Sequence, residues 1–597
     1  MKKSTVLLII LYIGVFSLFA SSTYDAEYLL KDVVYKLNPD GSSVMEYHSK
    51  IKLYTYKATS RIFGESFILY NPAYQKLEIL ISETTMKDGK KVNSPKNAYN
   101  ESLPYVAKRF SAFSGLREMI VTHTGLEREA VIELKYKVYT KTGFNNCFSE
   151  MEYLSEPYPV KKLSIRVIVP KNKRLNVYVS EKGILKNAIK ENNIEYSIIK
   201  TSVDNYRHEP LDNKAGRGYI IFSTARNWVE LFPNKYKAED IPKSMIKTAK
   251  EILKSTDEQF SKLFKLQELI VSDFDYCRIN HKLTGNRIRD IKDVYASNYA
   301  RAIEKTYLLS GLLSKLGIKN EIILAFKTDE FKKNIPNLAF FNTYFLKITN
   351  YSNTTIYIDT VHLQNNIIPM RIYGQTLYNL DTGKSEKLKS SCFKKNMVEI
   401  RGDINIIKKG YKGKLIVGLS GIHFNYKSSL KNKKKYLKRS LSHVIGVSKL
   451  SKLKIINYTV NSIKAEIIVE GKLLKHLNKK TLILKDFNFK LINPRNVFLK
   501  KREFPLLLPV ANGISIKLEI HYPKKLIVDY LISNVKIDNT FGTYFNCVHK
   551  VKKGLVELEY TSLIKSNLIL PKDYKQFKEV VDKPMNKKNM AIFIMSN

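Results

Sequence analysis

Thiols, imidazoles and carboxylates do chemistry only where the chain brings them together, and the four cysteines of this 597-residue sequence set the first constraint. Cys147, Cys277, Cys392 and Cys547 each lie more than a hundred residues from the next. There is no Cys-x-x-Cys pair, which argues against zinc ribbons and thioredoxin-type sites. Bridges over such spans are open to an exported chain, but spacing does not reveal them. Buried free thiols acting as small apolar fillers are the expected state. Cys277 shares its region with His281 and His362, the residue types of a thiol nucleophile and its base. In such a pair the imidazole lowers the thiol pKa and later returns the proton. The simpler expectation is a buried Cys and two unrelated histidines. No His-Glu-x-x-His, Gly-x-Ser-x-Gly or phosphate-binding glycine loop occurs, so no metal and no cofactor are expected.

The elements that would position such groups follow from periodicity. Residues 23–225 alternate in the manner of strands, as in Ile132-Glu133-Leu134-Lys135-Tyr136-Lys137-Val138 and in Leu163–Val169 before Pro170. Turn sequences Asn38-Pro39-Asp40-Gly41 and Lys87-Asp88-Gly89-Lys90 separate the runs. Many short strands with such turns predict an antiparallel β-sandwich. The pattern changes near Trp228, which is expected to be a buried anchor at a domain junction. Helical spacing then starts at Ile246, Ala249 and Leu253. A second helix follows Thr256-Asp257-Glu258, with Phe260, Leu263, Phe264 and Ile270 on one face. A third, Ala302–Leu316, places Ile303, Tyr307, Leu308, Gly311 and Leu312 together and ends at Gly317, a left-handed cap position. Strands are predicted at Glu321–Phe326, Thr343–Ile348 and Thr355–Ile358, so this middle region is α+β. From about 366 the β pattern returns, strict in Ile514, Ile516, Leu518, Ile520 and Tyr522. The fold class is multidomain β and α+β, with a second sandwich-like region at the C-terminus. No repeat at a solenoid period is present.

Composition narrows the function. Hydrophobic residues make up 44% and charged residues 26%, which supplies ample core, and the length calls for several domains. The net charge is +46, from 101 Lys+Arg against 55 Asp+Glu. Nucleic acid is disfavoured as a partner, because the lysines are spread along every segment, alongside abundant Ile, Asn and Tyr, in the manner of AT-rich codon bias. The most basic segment, Lys427–Arg439, reads as a solvated helix face or loop; attraction to anionic lipid or cell-wall polymer is the functional alternative. At the N-terminus, Lys2-Lys3, the apolar run Val6–Phe19 and Ala20-Ser21-Ser22 have the layout of a secretory signal over residues 1–22. The protein is therefore expected to be exported, to the periplasm or cell envelope, with an uncleaved inner-membrane helix as the alternative. No Cys lies near the cleavage zone, which excludes a lipoprotein anchor.

A further set of landmarks runs through the whole chain: Asp40-Gly41, Asp88-Gly89-Lys90, Gly125-Leu126-Glu127, Tyr158-Pro159-Val160, Ser223-Thr224 with Trp228, Asp273-Phe274-Asp275-Tyr276, Arg502 with Pro505, and Tyr574 with Phe577-Lys578. In this order the sequence resembles a family of exported bacterial proteins. These carry an N-terminal DUF3857 domain, a transglutaminase-like (papain-like) core and a C-terminal DUF3858 domain. The resemblance implies domains at 23–232, 233–365 and 366–597. It also implies a site whose pattern runs Gly-Asp-Cys-x-Asp-x-x-x-Leu-Leu, opening a helix that ends in Gly-Ile. Leu308-Leu309 and Gly317-Ile318 set the register. That places Ala300 at the Gly, Arg301 at the Asp, Ala302 at the Cys and Glu304 at the second Asp. Thr343, in Phe341-Asn342-Thr343, stands at the His, and Asp359 alone matches its counterpart. A methyl group has no lone pair to attack with, a hydroxyl is no base near neutral pH, and a carboxylate without an imidazole has nothing to orient. The resemblance thus implies a degenerate site in a pseudoenzyme. The old substrate cleft would persist as a groove for a peptide or envelope protein, lined by Arg301, Glu304, Asn342 and Tyr344. The alternative is an active transglutaminase-like cysteine protease or acyltransferase that uses a displaced thiol such as Cys277.

Overall fold

The computed structural model describes residues 24–596 apart from 207–208, 210, 212–216, 233, 286, 327–330, 340, 389–392, 409, 443, 473, 477–478, 484–490, 531–533 and 586–590. The expected signal segment 1–22 and Cys392 lie outside the described residues. Among the described residues no helix is long and apolar enough to cross a membrane.

The alternating sequence of the N-terminal region builds fourteen strands: β1 (Ala26–Leu37), β2 (Ser43–Leu53), β3 (Glu65–Tyr70), β4 (Gln75–Thr85), β5 (Lys91–Asn93), β6 (Tyr99–Ser102), β7 (Arg117–Thr122), β8 (Val131–Thr140), β9 (Ser149–Tyr153), β10 (Val160–Pro170), β11 (Asn176–Val179), β12 (Lys186–Lys190), β13 (Asn193–Val203) and β14 (Tyr219–Ser223). One large sheet runs β12-β13-β10-β1-β2-β8-β4-β5. It is not purely antiparallel as the pattern predicted. β1 and β10 pair in parallel, Val33 opposite Ile165 and Tyr35 opposite Val167. Strands that touch both neighbours through long runs of Val and Ile pair in either sense, and alternation alone does not report direction. The second layer is split into two small sheets, β3-β7-β6 and β11-β14-β9.

The middle region follows. Helices α1 (Lys243–Lys254), α2 (Gln259–Asp273), α3 (Ile291–Ser297) and α4 (Ala302–Lys315) precede a five-stranded antiparallel sheet. Its strands are β17 (Glu321–Phe326), β18 (Phe341–Tyr351), β19 (Thr354–Asp359), β20 (Thr376–Asn379) and β21 (Ser385–Lys387), in the order β19-β18-β17-β20-β21. A two-residue parallel ladder, β15 (Asp275–Tyr276) with β16 (Tyr299–Ala300), leads into α4. The α4 helix is buried almost all round: Leu308, Leu309, Leu312 and Leu313 are each 0% exposed. Gly317 takes φ +76° after the helix end, as expected of a left-handed cap. Trp228 is buried, stacks near Phe331 and Phe326, and donates its indole N–H to the Lys333 carbonyl at 3.0 Å. The expected burial is observed, against aromatic rings of the central unit.

The C-terminal region repeats the N-terminal topology. Its large sheet runs Val447–Thr459, Ser462–Gly471, Gly410–Ser420, Met397–Ile407, Asn512–His521, Leu555–Ile564, Gly542–Lys552, Val535–Asp538. Seven of these strands occupy the same places, in the same chain order, as β4, β8, β2, β1, β10, β13 and β12. The one parallel junction, Met397–Ile407 with Asn512–His521, sits where β1 meets β10. The basic segment forms two short helices, Tyr426–Lys431 and Lys433–Ser442. They dock through Leu437 and Leu441 and leave Lys434, Lys435 and Lys438 exposed.

Candidate functional site

The residues that the sequence pointed to converge at the start of α4. Arg301 is the N-cap, and its backbone N–H donates to Glu304 Oε2 at 2.9 Å, so the carboxylate serves an otherwise orphan donor of the first turn. Glu304 also accepts from the Arg289 backbone N–H at 3.0 Å and lies 3.2–3.3 Å from the guanidiniums of Arg289 and Arg301. Burial alone would push its carboxyl pKa up. The two guanidiniums outweigh that and hold it below the ordinary Glu range. Arg301 further donates to Thr284 Oγ1, and Arg289 to the Tyr299 carbonyl. This is a closed ion cluster, with Glu304 0% and Arg301 5% exposed.

The second group gathers where β18 and β19 meet. Asp359 sits opposite Phe345 at the end of β19 and is 3% exposed. Its Oδ1 accepts from the backbone N–H groups of Val361 and His362 at 2.9 and 3.0 Å. Its Oδ2 lies 2.6 Å from Arg371 Nη2. The same nitrogen donates to Thr343 Oγ1 at 3.1 Å. One guanidinium therefore joins Thr343 to Asp359, with its carbon 5.0 Å from the centre of the Phe345 ring. Thr306 Oγ1 meets Thr360 Oγ1 at 2.8 Å and ties α4 to the strand end. Gln267 holds the carbonyls of Asp359 and His362 at 2.7 and 3.0 Å. Lys305, on the inner side of α4 and 0% exposed, donates to the Val271 carbonyl at 3.0 Å, and burial lowers its pKa to about 8.

Ala302 offers a methyl group. Arg371 is a cation at any working pH and neither accepts nor shuttles protons. Of the four residues expected to line a groove, Arg301, Glu304 and Tyr344 are buried, and the side chain of Asn342 lies outside the described residues. The reason is electrostatic: an Arg and a Glu three apart at a helix start found each other and a second Arg instead of solvent. The accessible surface comes from Arg371, with a third of its side chain exposed, Leu363 and Met370, none of which the sequence flagged, and from His362, which it offered only as a base for Cys277. Arg371 carried no motif, and only the chain turn after β19 brings it back to Asp359.

Cys277 sits in an apolar cluster with Phe110, Phe113, Leu283 and Tyr299. Burial pushes its thiol up to about 11, and the described contacts give its sulfur no imidazole partner. His281 is pushed down to about 4 by burial and by nearby Lys282 and Arg301. Each shift opposes a thiolate–imidazolium pair. Cys147, Cys277 and Cys547 are free thiols. His362 Nδ1 lies 3.7 Å from Asp359 Oδ2 with its side chain 55% exposed. Elsewhere, Asp403, Glu519 and His521 bring donor atoms within 4.8 Å of one another on the solvent face of the C-terminal sheet, a spacing that a divalent cation could use.

Comparison with known proteins bears on the ends of the chain and on the fold. Residues 39–208 match the domain of unknown function DUF3857, and residues 480–594 match DUF3858. No curated protein matches. The crystal structure of a protein described as a "putative protease" from Parabacteroides distasonis aligns with a TM-score of 0.70 at 19% identity, over 96% of this chain and 99% of the other. At that identity the likeness is one of fold. The chain thus carries a match to DUF3857 and a match to DUF3858, one on either side of a central α+β unit.

Proposed function

We propose that this is an exported, non-catalytic binding protein of the cell envelope, built on a transglutaminase-like core whose reactive positions have been replaced. The observation that carries the reading is the guanidinium of Arg371, which bridges Thr343 and Asp359 in the space between the expected base and its orienting carboxylate. An imidazole at residue 343 would compete with it. With Ala302 at the nucleophile position, the site retains a helix start, one cation and an apolar rim of Leu363 and Met370. Those features suit the capture of a peptide or protein segment that carries a carboxylate or carbonyl groups.

Iodoacetamide at neutral pH, followed by peptide mapping, tests the reading. In the folded protein Cys277 stays unlabelled, and it reacts only after denaturation. No acyl transfer to an amine donor and no peptide cleavage is expected. Rapid labelling of native Cys277, together with turnover lost in Cys277→Ser, would replace this reading with that of a displaced-thiol protease or acyltransferase.

A further inference from the structure

We propose that the C-terminal domain docks on an anionic lipid bilayer through the corner formed by the basic helix Lys433–Ser442 and the strand Val447–Thr459. This corner shares no residue with the site at Ala302. Its charge exceeds what the composition of the chain accounts for. Over the whole chain Lys and Arg outnumber Asp and Glu by 101 to 55. Between Tyr426 and Gly471 there are eleven Lys and Arg against two acids, Glu466 and Glu470. Both acids are engaged: Glu466 by Lys414 at 3.3 Å, and Glu470 by Lys412 and Lys449 at 3.6 and 4.0 Å. The described ion pairs give no carboxylate to Lys435, Lys438, Arg439, Lys452 or Lys454, all of them exposed.

Packing gathers these cations around two apolar side chains. The helix buries Leu437 and Leu441 in one core with Val447 and Leu450, and the strand stands first in the order of the large sheet. From the first turn of the helix, Lys434 Nζ donates to the Ser451 carbonyl at 2.9 Å. Lys433 Nζ lies 4.3 Å from the centre of the Tyr458 ring. These two contacts bracket Ile455 and Ile456 on the strand between them. There the pairing with Ser462–Gly471 shifts register between Ile455 and Asn457, and the bulge leaves Ile456 without an opposite residue. Ile455 is 37% and Ile456 50% exposed.

Adjacent isoleucines in solvent, rimmed by cations, suit a peripheral bilayer contact. The isoleucines enter the boundary between headgroups and acyl chains, while the lysine stems lie along it and hold their ammonium groups at the lipid phosphates. A soluble polyanion would use the cations and leave the isoleucines in water. Lysine on an edge strand also discourages pairing with other chains, but that role needs no helix cations, and exposed Ile455 and Ile456 work against it.

Cosedimentation with vesicles tests this. The protein is residues 23–597, the chain once the signal segment expected at 1–22 is removed, and the vesicles are phosphatidylcholine with or without an equal share of phosphatidylglycerol. Two variants at exposed positions accompany it, Lys435→Glu/Lys438→Glu and Ile455→Ser/Ile456→Ser, with Trp228 fluorescence as the check that each is folded. At about 50 mM salt the unaltered protein should bind the phosphatidylglycerol vesicles and not the neutral ones. At about 1 M, where the screening length falls to about 3 Å, binding should be lost. Each variant should weaken binding roughly tenfold or more, the first by reversing charge and the second by removing the apolar insertion. No binding to phosphatidylglycerol vesicles at low salt, equal binding to neutral vesicles, or binding that either variant leaves unchanged would overturn the proposal. Full binding by the isoleucine variant in particular would assign the corner to soluble polyanions instead.

Discussion

Two ion clusters flank the start of α4, and they differ in what they leave open. In the first, Glu304 is closed in by Arg289 and Arg301 and also serves backbone N–H groups. All of its binding capacity is spent inside the protein. In the second, Asp359 is just as buried, but its partner Arg371 keeps a third of its side chain in solvent. The first cluster resembles a structural rivet and the second a positioned cation facing outward. The contrast teaches that residue type at a position says little without its neighbours. Glu304 was a candidate for a groove and is a cap, whereas Arg371 was no candidate and is the exposed group.

Substitutions that break each cluster measure the contrast, and Trp228, the one tryptophan, reports on the central unit. Glu304→Gln leaves two buried guanidiniums without an anion and should cost about 3–5 kcal/mol in urea denaturation followed by Trp228 fluorescence. Because the folded pKa of Glu304 is depressed, the stabilisation it provides is present above the unfolded value of about 4.3 and is lost as pH falls through the folded one. Lys305, between the clusters, also titrates below its ordinary value in the folded chain, but because burial disfavours its charged form and not because partners favour it. Its folded pKa of about 8 lies below the unfolded value, so the unfolded chain binds more protons between them. Stability should therefore rise between pH 8 and about 10.4, on the order of 3 kcal/mol, and Lys305→Met should flatten that rise. The smallest effect is expected for Thr343→Val, about 1 kcal/mol, since water replaces the hydroxyl beside the half-open Arg371. If Thr343→Val costs as much as Glu304→Gln, the distinction between a closed and an open cluster fails.

A second contrast, between the two large sheets, shows where reading by pattern stops. Period-two alternation marked strands at Ile132–Val138, Leu163–Val169 and from Ile514 to Tyr522, and each matches a strand of the structure, Val131–Thr140, Val160–Pro170 and Asn512–His521. Alternation carries no information on which strand lies beside which. The parallel junctions of β1 with β10 and of Met397–Ile407 with Asn512–His521, and the repeated seven-strand order, were therefore invisible. The split second layer was hidden for the same reason: it depends on strand partners that alternation does not name, such as β3 with β7 and β9 with β14.

By itself, the sequence determined the local facts: the amphipathic helices, the Gly317 cap, the buried Trp228, and the absence of a thiol at 302 and an imidazole at 343. These depend on residue type and on spacings of a few residues, which short-range geometry fixes. Tertiary structure alone decided that Arg371 would stand between Thr343 and Asp359, and that Arg289 would close over Glu304. Each of those joins segments distant in the chain, and the free energy that selects such pairings, burial of apolar faces and neutralisation of charge, exists only once the segments are packed together.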